Sequence, residues 1–489
     1  MKLKSALPLM AFAAMAVGHN AHASDGQDRD WADTLRQDAT AIHAALQDSH
    51  PGPYDPLNPD FRRQLDEGLN TALARASQTS SMDGWWWAIR GYVASFDDAH
   101  VFASLKVTSA YERRWPGFLT AYQGDDIVVT TTQAGADMPP AGSKLVSCDG
   151  VPAEALASQR LGQFRGRWFL KAQRQRFGDL LFIDEGNPFA PLPAQCDFEV
   201  DGQSRAYALQ WRVGGDELQQ AQTAAAAVPA TKAHLTRLDD GGFWIATPTF
   251  DANPQSASFG SLNAVLDGMA ARQDELRSAP YVVFDLRGNR GGSSSWSQRM
   301  ARTLWGEAWL EHHAPKSSQA VDWRASTANH AYLGEIHDIL KGQAPDEVIA
   351  FLDEARVGMG EAIARGDAYW TETFESEAAQ SPAPSTSPVS SKVFILTDYM
   401  CVSACLDAVD VWKAAGGIQI GTETSADTLY MEIRETELPS GLSGLSIPIK
   451  VYRGRERGHN QPHTPDHPLP LETLDDAALK AAIRQLAAN

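Results

Sequence analysis

The stretch "FILTDYMCVSACLDAVDVWKAAGG", Phe394 to Gly417, joins a strand-like apolar run to a helix-like run that ends at a glycine pair. Ser403 lies where the two meet, between Cys401 and Cys405. A serine there has its hydroxyl near the positive end of a helix, and the amide of Ala404 is free to bind an oxyanion. Serine is also a common helix N-cap. This position therefore fits either a nucleophile or a cap.

The runs "APYVVFDLRG", "KVFILTD" and "IQIGTET" are continuously apolar and are separated by amphipathic segments. Strands buried on both faces have this character, so we predict α/β layering with a mostly parallel sheet. Upstream, a helical pattern and then short β-like runs predict two further parts. The expected division is a helical segment over 24–112, a β-module with its connector over 113–230, and an α/β core over 231–489 with an inserted helical and loop region around 310–391.

Residues 1–23 combine two lysines, a short apolar run and the sequence Ala21-His22-Ala23. This pattern is typical of a cleaved export signal, although a buried N-terminal helix is the alternative. No later stretch is long and apolar enough to cross a membrane. We therefore expect a soluble protein in the periplasm or outside the cell.

The 489 residues carry a formal net charge of −19. An acidic surface repels phosphate backbones, so nucleic acid is not an expected partner. At roughly 150 residues per domain, the length suggests two or three domains.

Four cysteines, Cys148, Cys196, Cys401 and Cys405, are an even number in a chain expected to be exported, where disulfides are permitted. They allow three pairings. Nearness along the chain favours 148 with 196 and 401 with 405.

A second glycine-rich turn follows a buried strand in "YVVFDLRGNRGGSSSWSQ", Tyr281 to Gln298. Gly288, Gly291 and Gly292 allow the backbone to turn sharply and to point N–H groups at an anion. The Gly-Lys-Ser/Thr and G-x-G-x-x-G patterns of nucleotide loops are absent. We expect an oxyanion-binding turn.

The segments "GFWIATPTF", "DLRGNRGG", "CVSACLDA", "IGTETSADT" and "PHTPDHPL" occur in the order and approximate spacing of the S41 peptidases. These are the tail-specific (C-terminal processing) and tricorn-core-like serine proteases. "MPPAGSKLVSCDGVPAEAL" is similar to half of their PDZ-type domain, and "SFDDAHV" to their D-x-H segment. The resemblance implies a crotonase/ClpP-like layered core, a peptide or protein substrate and no cofactor.

By this resemblance Ser403 is the nucleophile, and its oxyanion hole is formed by the N–H groups of Ala404 and of Gly291 or Gly292. The tail-specific branch uses a lysine base about two dozen residues after the serine. Here that place reads "TSADTLY", with Asp427 or Thr428 instead of the amine.

The tricorn-like branch activates its serine with a histidine, and His100 in "DDAH" occupies the matching position. Histidine suits the role because its ordinary pKa is near neutral, although a lone histidine after a helix can also be a cap or a packing residue. The acidic partner is expected in "YRGRERGHNQPHTPDHPL". Glu456 is the candidate, with His459 and Asn460 as competitors.

His459, His463 and His467 are spaced by four, which on a helix would place them on one face. Pro462, Pro465 and Pro468 forbid a regular helix, so no metal site is expected.

These features predict an exported serine endopeptidase that hydrolyses peptides or unfolded protein segments through an acyl-enzyme. The alternative is a catalytically inactive S41-fold protein that binds peptides or hydrophobic ligands.

Overall fold

The computed structural model describes residues 29–133, 137–225, 232–315, 318–373, 384–471 and 474–488. The expected export signal at 1–23 lies outside these ranges. The α-helices are α1 Trp31–Ser49, α2 Phe61–Arg75, α3 Met82–Ala94, α4 Ala153–Ala157, α5 Gln163–Arg165, α6 Lys171–Phe177, α7 Gly215–Ala225, α8 Ala257–Ala271, α9 Gln273–Ser278, α10 Ser295–Trp305, α11 Glu307–His313, α12 Thr327–Leu340, α13 Asp346–Arg365, α14 Ala404–Ala414 and α15 Asp476–Ala488.

The strands are β1 Phe102–Leu105, β2 Arg114–Trp115, β3 Phe118–Gln123, β4 Asp126–Thr132, β5 Lys144–Cys148, β6 Val151–Pro152, β7 Gln195–Val200, β8 Gln203–Ala208, β9 Arg212–Val213, β10 His234–Arg237, β11 Phe243–Ala246, β12 Tyr281–Asp285, β13 Ala320–Arg324, β14 Tyr369–Thr373, β15 Lys392–Thr397, β16 Ile418–Gly421, β17 Tyr430–Glu437, β18 Ser443–Arg453 and β19 His467–Pro468.

The central sheet has the strand order β10-β11-β12-β15-β16-β19, and all neighbours are parallel except the antiparallel pair β10 and β11. Side chains of β12 point alternately to two apolar cores. Val282 and Phe284 pack with α8, α10 and α14, whereas Tyr281 and Val283 pack on the face covered by α15. The predicted α/β layering with a mostly parallel sheet is confirmed, and it places the carboxyl ends of β12 and β15 side by side.

A second sheet has the order β1-β18-β13-β14, with β17 also paired to β18. Its core is shared with α1 to α3 on one side and with α12 and α13 on the other. The region around 310–391, expected to be helical or loop, thus also contributes the strands β13 and β14. These strands are short and half polar. β13 pairs with β18 across a long chain separation, and β14 pairs with β13, so local sequence patterns did not reveal them.

A third sheet has the order β3-β4-β5-β7-β8, with β6 beside β5, and α4 to α6 lie between β6 and β7 in the chain. Cys148 on β5 and Cys196 on β7 are direct cross-strand partners and form a disulfide. Across the described ranges, no helix combines the length and the apolar character needed to span a membrane.

Candidate active site

Ser403 occupies the turn between β15 and α14 in an unusual backbone conformation. Its φ is 59° and its ψ is −130°, a region that non-glycine residues avoid and that costs of order 1–3 kcal/mol. The Ser403 side chain makes no capping hydrogen bond to α14 and is half-buried. A strained serine whose hydroxyl is not engaged in capping matches the nucleophile interpretation better than the N-cap interpretation.

The turn is held by Asp398 and by a disulfide. Asp398 Oδ1 accepts the N–H of Met400 at 2.9 Å, and its carbonyl accepts the N–H of Cys401 at 3.1 Å. Cys401 on the turn is bonded to Cys405 in the first turn of α14. Both disulfides that nearness along the chain favoured are therefore present, and one of them encloses Ser403.

The glycine loop after β12 lies against this turn. A Cβ added at Gly291, where φ is 90°, would come 2.7 Å from Ser403 Cβ and 2.9 Å from the nitrogen of Ala404. A Cβ at Gly292, where φ is 127°, would meet the carbonyl of Phe250 at 2.1 Å. Only glycine fits both positions, which explains the close approach of the two loops.

The N–H groups of Gly292 and Ala404 are the candidate donors for an oxyanion. The N–H of Gly291 donates to Asn289 Oδ1 at 2.8 Å, so it is already engaged. Buried Asn289 also donates from Nδ2 to the carbonyl of Thr247 at 2.7 Å, which fixes the loop. Among the described residues, neither the exposed Gly292 N–H nor that of Ala404 has a partner. Of the two glycines left open by the sequence, the structure favours Gly292 as donor.

His100 lies between α3 and β1, with its side chain 17% exposed. Asp98 Oδ1 accepts the backbone N–H of His100 at 2.8 Å and lies 3.6 Å from His100 Nδ1. The distance of 3.6 Å between Asp98 Oδ1 and His100 Nδ1 is too long for a hydrogen bond, so it describes a close charge contact. Asp98 Oδ2 in turn accepts the Thr428 hydroxyl at 3.0 Å and lies 3.9 Å from His50 Nε2. A buried carboxylate is thus fixed against the imidazole.

The charges around His100 favour its protonated form. Burial acts to lower the pKa of His100, but contact with Asp98 and the charge of Asp427 raise the pKa above its ordinary value, against an opposing effect of Arg167. Burial acts to raise the pKa of Asp98. The contacts of Asp98 with His100 and His50 have the larger, opposite effect, and they hold the pKa of Asp98 below its usual range. Asp98 therefore stays ionised, and it stabilises a proton on the imidazole.

Asp427 contacts the serine turn, and its charge also acts on His100. Its Oδ2 accepts the backbone N–H of Ser403 at 2.9 Å, while Oδ1 is buried without a hydrogen-bond partner among the described residues. Its main-chain carbonyl accepts the N–H of Asn460 at 2.7 Å. In the sequence, Asp427 was visible only as the residue that stands where the tail-specific branch has lysine. Its contact with Ser403 depends on the fold.

Glu456 does not contact His100 among the described residues. Its side chain is exposed, because the flanking Arg455 and Arg457 turn inward and bind Asp407 of α14. Asp98 contacts His100, and Asp427 and Glu432 are near enough for their charges to interact with it, whereas no hydrogen bond or ion pair joins Glu456 to His100 among the described residues.

The competitors for the acidic role have structural contacts. His459 Nδ1 accepts the N–H of Leu429 at 3.1 Å, and Asn460 Nδ2 donates to the carbonyl of Asp97 at 2.8 Å. His463 Nε2 lies 2.8 Å from Asp410 Oδ1. Within the ranges that the structure describes, His, Cys, Asp and Glu form no group of three or more able to hold a metal ion.

Comparison with solved structures finds the same fold in mature CPAF. The complex of mature CPAF with lactacystin matches at a TM-score of 0.61 and 13% identity, covering 94% of this chain and 99% of that one. Mature CPAF alone matches at 0.59 and 12%, covering 94% and 98%. The photosystem II D1 C-terminal processing protease aligns over 93% and 97% of the two chains at 13% identity, but at a TM-score of only 0.35.

No protein-family model matches the sequence, and no curated protein matches it. At these identities the CPAF likeness establishes the fold. The resemblance predicted from the sequence segments is confirmed at that level.

Proposed function

We propose that this protein is an exported serine endopeptidase of the S41 type, with Ser403 as nucleophile and His100 as general base. The observation that carries the proposal is the strained Ser403 turn with the glycine loop packed against it; among the described residues the N–H groups of Gly292 and Ala404 have no hydrogen-bond partner there. The S41-like segments of the sequence and the CPAF fold support the same reaction class.

In the proposed reaction, Ser403 Oγ attacks the scissile carbonyl while His100 accepts the hydroxyl proton. The N–H groups of Gly292 and Ala404 stabilise the tetrahedral oxyanion. His100 then returns the proton to the leaving amine. In the second step His100 takes a proton from water, the hydroxide attacks the acyl carbonyl, and the bond to Ser403 Oγ breaks as Oγ receives the proton.

We assign positioning roles to two carboxylates. Asp98 contacts His100 directly and stabilises the imidazolium as it forms. Asp427 orients the Ser403 backbone through its N–H and adds negative charge near His100. Together they replace the Glu456 expected from the sequence.

Export is supported by the two disulfides, since such bonds persist in oxidising compartments. The substrate class is peptides or loosely folded protein segments. The third sheet, whose β5 to β6 region carries the PDZ-like segment, is a candidate for strand addition by an extended peptide.

The experiment is hydrolysis of casein by the wild type, by Ser403→Ala and by the control Ser278→Ala, which replaces an exposed serine at the end of α9. We expect cleavage by the wild type and by Ser278→Ala, and none by Ser403→Ala. Cleavage that survives Ser403→Ala would exclude the mechanism. A folded wild type that binds peptides without cleaving them would identify the inactive binding protein instead.

A further inference from the structure

A cavity of about 200 Å³ lies between α3 and the segment 164–177 of the β-module, and residues 98–103 form a further part of its wall. Its charged lining residues are four arginines and one aspartate: Arg90, Arg165, Arg167, Arg176 and Asp98. The chain as a whole carries a net charge of −19. A positive cavity in so acidic a protein indicates an anion as its occupant.

Two of these arginines have no carboxylate partner. Arg165 pairs with Glu185 at 2.6 Å. Arg167 donates from Nη1 to the carbonyl of Ala426, and the charges of Asp427, Asp98 and Asp97 act on it. Arg90 and Arg176, in contrast, form no ion pair with any described residue. Burial together with neighbouring arginines lowers the pKa of Arg90 to about 9 and that of Arg176 to about 10. A bound anion would relieve this mutual repulsion.

The guanidinium groups are held in place by aromatic rings and so keep N–H groups for a ligand. Arg90 lies over Trp87 at 5.2 Å from the ring centroid, and Arg176 lies over Phe177 at 4.9 Å. A guanidinium that lies over a ring can still donate from its N–H groups. Arg90 commits one donor, from Nε, to the carbonyl of Phe164. Its remaining donors can meet an acceptor in the cavity.

The cavity adjoins the proposed catalytic groups. Asp98 lines the cavity and also contacts His100. The charge of Arg167, another lining residue, reaches His100. Arg176 is close enough to Arg290, the residue before Gly291, for their charges to interact. The cavity wall thus includes one residue that contacts His100 and one that lies near the glycine loop, so we expect a peptide held at Ser403 to bring a neighbouring group to the cavity.

We propose that this cavity binds a carboxylate of the peptide substrate, either an acidic side chain near the cleaved bond or the C-terminal carboxylate. This inference rests on the proposed peptidase function. A carboxylate matches the two-pronged N–H geometry of arginine. The volume is below the roughly 300–1,000 Å³ of sites for drug-sized ligands, and it suits a side chain or a chain end.

The test uses Ser403→Ala protein and fluorescently labelled pools of short peptides, so that binding is measured without cleavage. Matched pools carry either glutamate or glutamine at one position, and each pool is made with a free or an amidated C-terminus. We expect the carboxylate-bearing form to bind roughly ten- to a hundredfold more tightly than its neutral partner, as for a charged hydrogen bond in a partly buried site. The glutamate arm and the free-terminus arm distinguish the two sources of the carboxylate.

The variants Arg90→Gln and Arg176→Gln, each added to Ser403→Ala, are expected to abolish that preference, and Arg176→Lys to retain part of it. Arg205→Gln, at an exposed position on β8, is the matched control for net charge. Equal binding of charged and neutral peptides would overturn the proposal, as would an equal loss in the Arg205 control. Neither result would affect the test of the peptidase function, which is measured separately by hydrolysis of casein.

Discussion

Gly291→Ala tests the oxyanion site most sharply, because the glycine loop and the nucleophile turn touch at this residue. The added methyl carbon would lie 2.7 Å from Ser403 Cβ and from the carbonyl of Val402, and 2.9 Å from the Ala404 nitrogen. Carbon atoms pack at about 3.5–4.0 Å, so the two loops must separate by about 1 Å. Such a displacement moves the Gly292 and Ala404 donors apart. Losing one oxyanion donor costs about 10²–10³ in kcat.

Gly288→Ala is the matched control, since it lies in the same loop at a φ of 77° and a Cβ there meets nothing within 4 Å. Both variants carry roughly 1–2 kcal/mol of left-handed backbone strain, which thermal unfolding will measure. In steady-state peptide hydrolysis, we expect kcat to fall about 10²–10³-fold for Gly291→Ala and to change little for Gly288→Ala. A folded Gly291→Ala enzyme with the kcat of its control would refute the oxyanion assignment.

Two further predictions concern charge and covalent support. Asp427→Asn removes a negative charge that raises the pKa of His100. Because the base must be neutral to act, the acidic limb of the kcat/KM profile, measured between about pH 5 and 8, should move to lower pH. An acidic limb that does not move would show that this charge does not act on the base. A disulfide that closes a longer loop stabilises the fold more. Replacing Cys148 and Cys196 by alanine, at a sequence separation of 48, should therefore lower the free energy of unfolding by about 4 kcal/mol. Replacing Cys401 and Cys405, at a separation of 4, should lower it by only about 2 kcal/mol. We nevertheless expect the second pair to cost more activity, since it encloses Ser403, and the opposite order of kcat losses would contradict its role as a clamp.

The sequence predicted the parts of the molecule that local patterns determine. Continuous apolar strands identified the layered core, and the serine turn and glycine loop were located because each follows such a strand. The cysteine pairs were favoured by nearness alone, and both bonds formed. Apart from Cys148–Cys196, whose cysteines are 48 residues apart, these features need only neighbouring residues to be recognised.

What the sequence missed depends on contacts between distant segments. Asp427 reaches Ser403 across 24 residues, and Thr428 reaches Asp98 across 330. Asp98 was visible within "DDAH", but its approach to the imidazole follows from the fold. Glu456 lies in the segment where the acidic partner was expected, but the inward pairing of the arginines beside it with α14 could not be seen in the sequence.

The central claim is that His100 activates Ser403, and a fluorophosphonate probe measures this activation directly. We predict that the folded wild type is labelled at Ser403, that Ser403→Ala is not labelled, and that His100→Ala is labelled at least about 10²-fold more slowly, as expected for loss of a general base. Peptide mapping by mass spectrometry would locate the label, and the labelling rate gives the comparison. Labelling of His100→Ala at the wild-type rate, or no labelling of the folded wild type, would contradict the claim.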